Sequence, residues 1–246
     1  MFDKYFEVIL ANTQESREIH YNIRYQVYCE ELGYEDVTKF PNQQEFDKWD
    51  PINDQDQGTL LFLVRLKHTK QWIGAMRIVH HNGDKFPLEE FSSLDHNIDS
   101  SAIEISRLCL VKEIRRPYLQ NSYGIDDANT SSQQLVTNEE EDEDVKSFYS
   151  NPKVKSTIIW GLFNATLQYS KANNINKWYL LASKALTRVI GRQGFAIEQV
   201  GTTCEHRGKR SPYRFDVNKI QDNSMWDTFN QGYHVYSELS QQADAA

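Results

Sequence analysis

The chain lacks the features that would fit it to several broad roles. Its three cysteines, Cys29, Cys109 and Cys204, form no CxxC pair, and no His/Cys cluster has metal-ligand spacing. The cysteines are therefore expected to be reduced, buried thiols in a reducing compartment. Positive charge is short as well: 27 Lys and Arg against 35 Asp and Glu leave a formal net charge of −8. That balance is the reverse of a general nucleic-acid footprint. No apolar run approaches the roughly 18 residues that cross a bilayer. The opening Met1-Phe2-Asp3-Lys4-Tyr5-Phe6-Glu7 has neither the basic nor the apolar region of a signal peptide. These absences predict a soluble, cytoplasmic protein with no metal and no nucleic-acid partner.

Aromatic residues are plentiful (13 Tyr, 12 Phe, 5 Trp), which points to a folded chain, and 246 residues suffice for a sizeable core. No internal repeat is visible. Phe6 to Leu10 reads as a strand. A helix is expected to start near Asn12, to carry Ile19, Ile23 and Val27 on one face, and to stop at Gly33. A polar loop over residues 41–58 precedes two β-branched, apolar runs, Thr59–Leu66 and Trp72–His80, whose short link predicts a hairpin. Ala102–Val111 is a third long strand. Residues 118–150, with six consecutive carboxylates from Glu139 to Asp144, read as a flexible acidic insertion within one domain. A helix (Val154–Ala172), a strand (Trp178–Ala182), a helix (Lys184–Arg192) closed by Gly194, and strands at Phe195–Gly201 and Pro212–Val217 follow. An aromatic tail, Met225 to Tyr236, is expected to pack outside. The order β-α-β-β-β-α-β-α-β predicts a single mixed α/β sheet.

Charges embedded in apolar segments stand out. Arg24 lies in Ile23-Arg24-Tyr25-Gln26-Val27-Tyr28, Arg77 in Gly74-Ala75-Met76-Arg77-Ile78-Val79, and Glu104 with Arg107 in Glu104-Ile105-Ser106-Arg107. The polar loop adds Glu45, Asp47 and Asp50. Buried charges are costly unless paired, so the arginines and carboxylates are expected to meet in one polar cleft. Counter-ion duty alone is a second reading of the same residues. Ser106 has no evident His–Asp pair behind it, and Cys109 among leucines reads as inert rather than nucleophilic.

The stretch Leu186-Thr187-Arg188-Val189-Ile190-Gly191-Arg192-Gln193-Gly194-Phe195 resembles the last helix and Gly-Phe turn of the GNAT acyltransferase fold. The ordered set Ile23-Arg24-Tyr25-Gln26-Val27-Tyr28-Cys29-Glu30-Glu31-Leu32-Gly33-Tyr34, Glu45-x-Asp47-x-x-Asp50, Gly74-x-x-Arg77, Phe91 and Glu104-x-Ser106-Arg107 resembles the acyl-homoserine-lactone autoinducer synthases and the long-chain N-acyl amino acid synthases. Most of all it resembles the PEP-CTERM/exosortase system-associated acyltransferases, which also account for His206-Arg207-Gly208-Lys209-Arg210-Ser211-Pro212-Tyr213.

The resemblance implies a three-layer GNAT-like fold, with a mixed, mostly antiparallel sheet flanked by helices. It implies transfer of a fatty acyl group from an acyl-carrier-protein thioester, or less readily acyl-coenzyme A, to a small amine, with no further cofactor. Glu104 is then the first candidate for general base and Asp47 the second, since an α-amine of pKa near 7.7–8.0 needs only modest help. Arg24, Tyr28, Tyr34, Glu45, Asp50, Arg77, Phe91, Ser106 and Arg107 would line the substrate site. Arg115, Arg116, Arg207, Lys209 and Arg210 would dock the acidic carrier protein. Tyr28 and Tyr34 stand where autoinducer synthases carry Phe and Trp, which argues against S-adenosylmethionine as acceptor. Glu113-Ile114-Arg115-Arg116-Pro117-Tyr118 stands where coenzyme-A enzymes have a Gly-rich turn for the pyrophosphate, which favours a carrier protein. An autoinducer synthase using S-adenosylmethionine, or a non-catalytic acyl-binding module, are the competing expectations.

Overall fold

The structure is a computed structural model that describes residues 2–51, 53, 54, 56, 58–83, 85–115 and 152–244. The expected insertion at 118–150 and Arg116 lie outside the described residues. A four-residue helix, Phe2–Tyr5 (α1), leads into Phe6–Leu10 (β1). The next helix, Gln14–Tyr25 (α2), is capped by Thr13, whose hydroxyl accepts from the Ser16 N–H while Ser16 Oγ accepts from the Thr13 N–H. That reciprocal pair moves the start one residue past Asn12. The chain then widens into a π-helical turn over Gln26–Glu31, where Leu32 N–H reaches Val27 O at 3.1 Å. Gly33, at φ +61, ends it as expected.

The hairpin forms as anticipated from Thr59–Leu66 (β2) and Trp72–His80 (β3), and Ala102–Leu110 (β4) pairs with β3. A short turn of helix, Lys112–Arg115 (α3), comes next. The C-terminal half supplies Pro152–Ala172 (α4), Lys177–Ala182 (β5), Lys184–Arg192 (α5), Glu198–Gln199 (β6), Cys204–Glu205 (β7), Lys209–Asp216 (β8), Val217–Ile220 (α6), His234–Val235 (β9) and Tyr236–Asp244 (α7). Among the described residues the strands join one sheet in the order β6-β8-β5-β4-β3-β2-β1-β9, with β7 on β8. No helix among them is long and apolar enough to cross a membrane.

Three sequence expectations need correction. Only Glu198–Gln199 of the expected 195–201 strand pairs, because Gly201 instead makes a lone bridge to Leu94. The last large strand begins at Lys209 rather than Pro212: the basic run turns back as a hairpin, and Pro212 sits inside β8 opposite Leu181. The aromatic tail sends one residue, Trp226, into the core, and Phe229 and Tyr233 are half-buried against it. Trp226 is buried against Trp160 and Phe195, and β9 adds a parallel edge to β1.

Cross-strand pairs Arg77–Ser106 and Val79–Glu104 put these side chains on one face of the sheet, which α2 covers. Ile78 and Ile105 point to the other face, where Phe163 of α4 packs on Trp178. Two irregularities in β4 open the sheet. Its parallel pairing with β5 covers only Ala102, Ile103 and Glu104, after which the strands part. The register with β3 slips between Ala75–Cys109 and Arg77–Ser106, so β4 carries an extra residue there, and Arg107 takes φ +52. Such a bulge bends the strand and leaves a residue outside the ladder.

Gly74 on β3 allows the close approach beside this bulge. A Cβ there would lie 2.7 Å from the Cys109 carbonyl and 2.6 Å from Leu110 Cδ2. Because part of that obstacle is backbone, Gly74→Ala is expected to lose about 1–3 kcal/mol of stability in urea unfolding.

Candidate active site

Arg24 and Arg77 have no exposed side-chain surface. The loop after α2 is laid over them and supplies their counter-charges. Arg24 Nε donates to Glu45 and its Nη1 donates to Asp50 Oδ1 at 2.7 Å. Arg77 Nη1 donates to Asp47 Oδ1 at 2.6 Å and to Asp50 Oδ1 at 3.2 Å, and its Nε donates to Ser106 Oγ at 3.1 Å. Arg107 Nη2 donates to Asp47 Oδ2 at 2.5 Å. The loop holds its own shape through Asp50 Oδ2, which accepts the Asp47 N–H, and Asp47 Oδ1, which accepts the Trp49 N–H. Three guanidiniums thus meet three carboxylates, and the buried charge cancels.

Burial works against ionisation of Asp47 and Asp50, but the guanidiniums outweigh it and hold both carboxyls below the ordinary range. His20, completely buried next to this network, is pushed down to about 3 by burial and by Arg24, so its ring is neutral. Glu104 behaves in the opposite way. It is 2% exposed, and its main contact is the Leu88 N–H at 2.9 Å. Burial raises its pKa to about 8, ahead of the opposing pull of that N–H and of Arg77 and Arg107. Cys109 is pushed up to about 12 by burial, which keeps its thiol protonated.

A cavity of about 390 Å³ opens where β4 and β5 part. Its walls divide by face of the sheet. Glu104, Ser106, Arg107, Tyr28, His206 and Arg207 form a polar side. Ile105, Leu110, Ile159, Phe163, Leu180 and Leu186 form an apolar side. Tyr28, on the π-helical turn, stacks with Tyr34 at 6.5 Å, and Phe91 stacks on His206 at 3.8 Å. Among the described residues no group of His, Cys, Asp and Glu is arranged to hold a metal ion.

The sequence-derived site residues Arg24, Glu45, Asp47, Asp50, Arg77, Ser106 and Arg107 therefore converge in one network. Tyr28, Tyr34, Phe91 and Glu104 line the adjoining cavity. Among the described residues expected to dock a carrier protein, the three arginines turn inward. Arg115 donates to the Leu110 carbonyl at 2.8 Å and pairs with Glu31, while Arg207 pairs with Glu35. Arg210 donates to the His206 carbonyl at 2.8 Å. These three arginines line the cavity, and of the residues expected to dock a carrier only Lys209 is exposed among those described. Half-buried Glu31 and Glu35 draw Arg115 and Arg207 inward, and backbone carbonyls hold Arg210. Sequence reasoning missed the pairing of Glu31 and of Glu35 with these arginines, and the apolar wall from α4 and α5.

Residues 23–121 match the model of the acetyltransferase (GNAT) domain. No curated protein matches the chain. Among solved structures, a CoA-dependent acyl-homoserine lactone synthase, BjaI, with SAM and isopentyl-CoA, is similar over 94% of this chain and 92% of its own, at TM-score 0.58 and 15% identity. The AHL synthase LasI is similar over 93% and 95%, at TM-score 0.53 and 14% identity. FeeM, an N-acyl amino acid synthase from uncultured soil microbes, is similar over 91% and 98%, at TM-score 0.53 and 11% identity. The chain has the GNAT fold, the fold of acyltransferases. The three-layer, mixed-sheet architecture anticipated from the sequence is the one observed.

The Glu104 environment gives a stability test. In the folded chain its proton is held up to about pH 8, against an ordinary value of 4.5. Between those values the native state binds more protons than the unfolded chain, so the residue's contribution to stability falls as pH rises. Urea unfolding from pH 5 to 8 should find wild type losing ground against Glu104→Gln, with a slope approaching about 1.4 kcal/mol per pH unit. Equal slopes in the two proteins would contradict the assignment.

Proposed function

We propose that the protein transfers a fatty acyl group from a carrier-held thioester to the amine of an amino acid or similar small acceptor. The observation that carries this reading is the cavity at the parted strands, apolar on the α4 side and with Glu104 in its polar wall. The acyl chain would occupy the apolar side. The amine would approach from the α2 side.

Glu104, with a pKa of about 8, is matched to an α-amine of about 7.7–8.0, so proton transfer between them is nearly thermoneutral. The neutral amine attacks the thioester carbonyl, the C–N bond forms, and ionised Glu104 takes the proton. Collapse then breaks the C–S bond, and the thiol leaves with a proton returned from Glu104. Backbone N–H groups at the β4 bulge are suited to hold the developing oxyanion, since a bulge frees them from the ladder. Asp47 has guanidiniums on both oxygens and is better suited to anchoring than to proton transfer.

For the donor, the turn at the end of β4 favours a carrier protein. The Lys112 N–H donates to Glu31 Oε1 at 3.2 Å, and Arg115 pairs with the same carboxylate. A protein carboxylate thus occupies the turn where a coenzyme-A pyrophosphate would want free N–H groups. Acyl-coenzyme A is the second reading, favoured by the likeness to the CoA-dependent BjaI, and with it lactone formation from S-adenosylmethionine. An exosortase-linked setting is carried over from the ordered motifs, and exosortase or polysaccharide-export genes next door would support it.

Purified protein should be incubated with acyl-carrier protein or acyl-coenzyme A, a panel of amino acids and S-adenosylmethionine, with products read by mass spectrometry. N-acyl amino acid is expected, and a lactone would favour the second reading. Glu104→Gln should lower kcat/KM by about 10²–10⁴. An unchanged rate would remove Glu104 from the chemistry.

A further inference from the structure

Among the described residues that line the cavity, two have a buried side-chain nitrogen with no hydrogen-bond partner: Arg107 and Arg207, each at Nε. Both residues also have backbones in the left-handed region, each at φ +52. Non-glycine residues are uncommon there, and such strain gathers at functional positions. Arg107 owes it to the β4 bulge. Arg207 owes it to the tip of the β7–β8 hairpin, where Gly208 sits next at φ +93 and the His206 N–H donates to the Gly208 carbonyl. A basic residue at a hairpin tip would ordinarily reach into water. Here the turn folds the side chain inward, and only 11% of it is exposed.

The Arg207 guanidinium lies 4.6 Å from the Tyr28 ring centroid and 6.0 Å from that of Tyr34, and one of its ends pairs with Glu35. Its flat face and one edge are thereby fixed, while Nε stays free. Arg107 is held by Asp47, and its Nε lies 3.4 Å from Glu45 Oε1 without hydrogen-bond geometry. The two guanidiniums line the same cavity, together with Tyr28 and His206. A buried N–H without a partner costs free energy that an arriving acceptor recovers.

We propose that Arg207, together with Arg107, binds a carboxylate on the acceptor, making Arg207 the residue that selects acceptors with a carboxylate beside the reacting amine. This rests on the acyl-transfer reading. Two sources of anion are conceivable: the acceptor's carboxylate and the donor's phosphate. Arg107 is three residues from Glu104 on β4, and both line the cavity. An amino acid carries amine and carboxylate on one carbon, so one group can meet Glu104 while the other meets the arginines. The phosphate of a pantetheine arm is at the far end from the reacting sulfur and has no place beside Glu104 while the thioester is there.

The test compares an amino acid, its carboxamide and its decarboxylated amine as acceptors, with wild type, Arg207→Gln and Arg207→Lys. Wild type should prefer the amino acid by about 10- to 100-fold in kcat/KM, the range expected for a charged hydrogen bond. Arg207→Gln should raise KM for the amino acid, leave KM for the thioester within about twofold, and remove most of the preference. Arg207→Lys, which keeps the charge, should recover part of it. Circular dichroism and melting temperature check that the variants fold, and Arg207→Lys serves if Arg207→Gln does not. If wild type acylates the carboxylate-free amine as readily as the amino acid, the inference falls while acyl transfer stands. A rise in thioester KM alone would assign the arginine to the donor and also overturn it. If no amine is acylated at all, the underlying reading falls and takes this one with it.

Discussion

Two guanidiniums buried without solvent contact, those of Arg24 and Arg77, set the terms for the rest of the site. Neither can be accommodated without anions at hydrogen-bond distance, because the desolvation cost of an unpaired buried ion is several kcal/mol. The loop after α2 satisfies that need with Glu45, Asp47 and Asp50, and in doing so is itself pinned over the sheet. Arg107 enters the same network from the bulge in β4, so helix, loop and two strands are tied at one point. Removing either partner of such a pair is worse than removing both. The network therefore acts as a positioning device for the cavity beside it more than as a source of net stability.

The cavity exists because β4 stops pairing with β5 after Glu104. A continuous ladder would close the sheet and leave no path between its faces. The parting strands expose backbone that must be covered, and α4, α5 and the β7–β8 hairpin supply the cover without filling the gap. Each face contributes what its own core demands: aliphatic side chains toward α4, charged and aromatic ones toward α2. One opening thus joins an apolar compartment to a polar one, which suits a reaction between a lipid-like donor and a water-soluble acceptor.

Much of this was legible in the sequence. Period-two and continuous apolar runs gave β1 to β5 nearly to the residue, and Gly33 and Gly194 marked helix ends correctly, at φ +61 and φ +80. Arginines and carboxylates set among Ile, Leu and Val announced a buried network, since only mutual pairing makes such segments tolerable. What could not be read depends on tertiary contact. The pairing of Glu31 with Arg115, and of Glu35 with Arg207, joins residues 84 and 172 positions apart, and it turned an expected exposed basic patch into cavity wall. Pro212 concealed the first half of β8, because proline inside a strand reads as a strand start. The tail around Trp226 carries too little periodicity to reveal that it completes the core.

The network also explains why Glu104 differs from its neighbours. Asp47, Asp50 and Glu104 are all withdrawn from water, and burial alone raises the pKa of each. Asp47 and Asp50 are brought back down by guanidiniums in direct contact. Glu104 shares that electrostatic neighbourhood, but burial outweighs the pull of Arg77 and Arg107, which Asp47 partly opposes, and among the described residues its hydrogen-bond donor is one backbone N–H. Burial therefore prevails. A cluster that spent its cations less completely on its own anions would ionise Glu104 and make it too weak a base to take a proton from an amine. Internal neutrality of the arginine–carboxylate cluster is what leaves one acid beside it poised to exchange a proton near neutral pH.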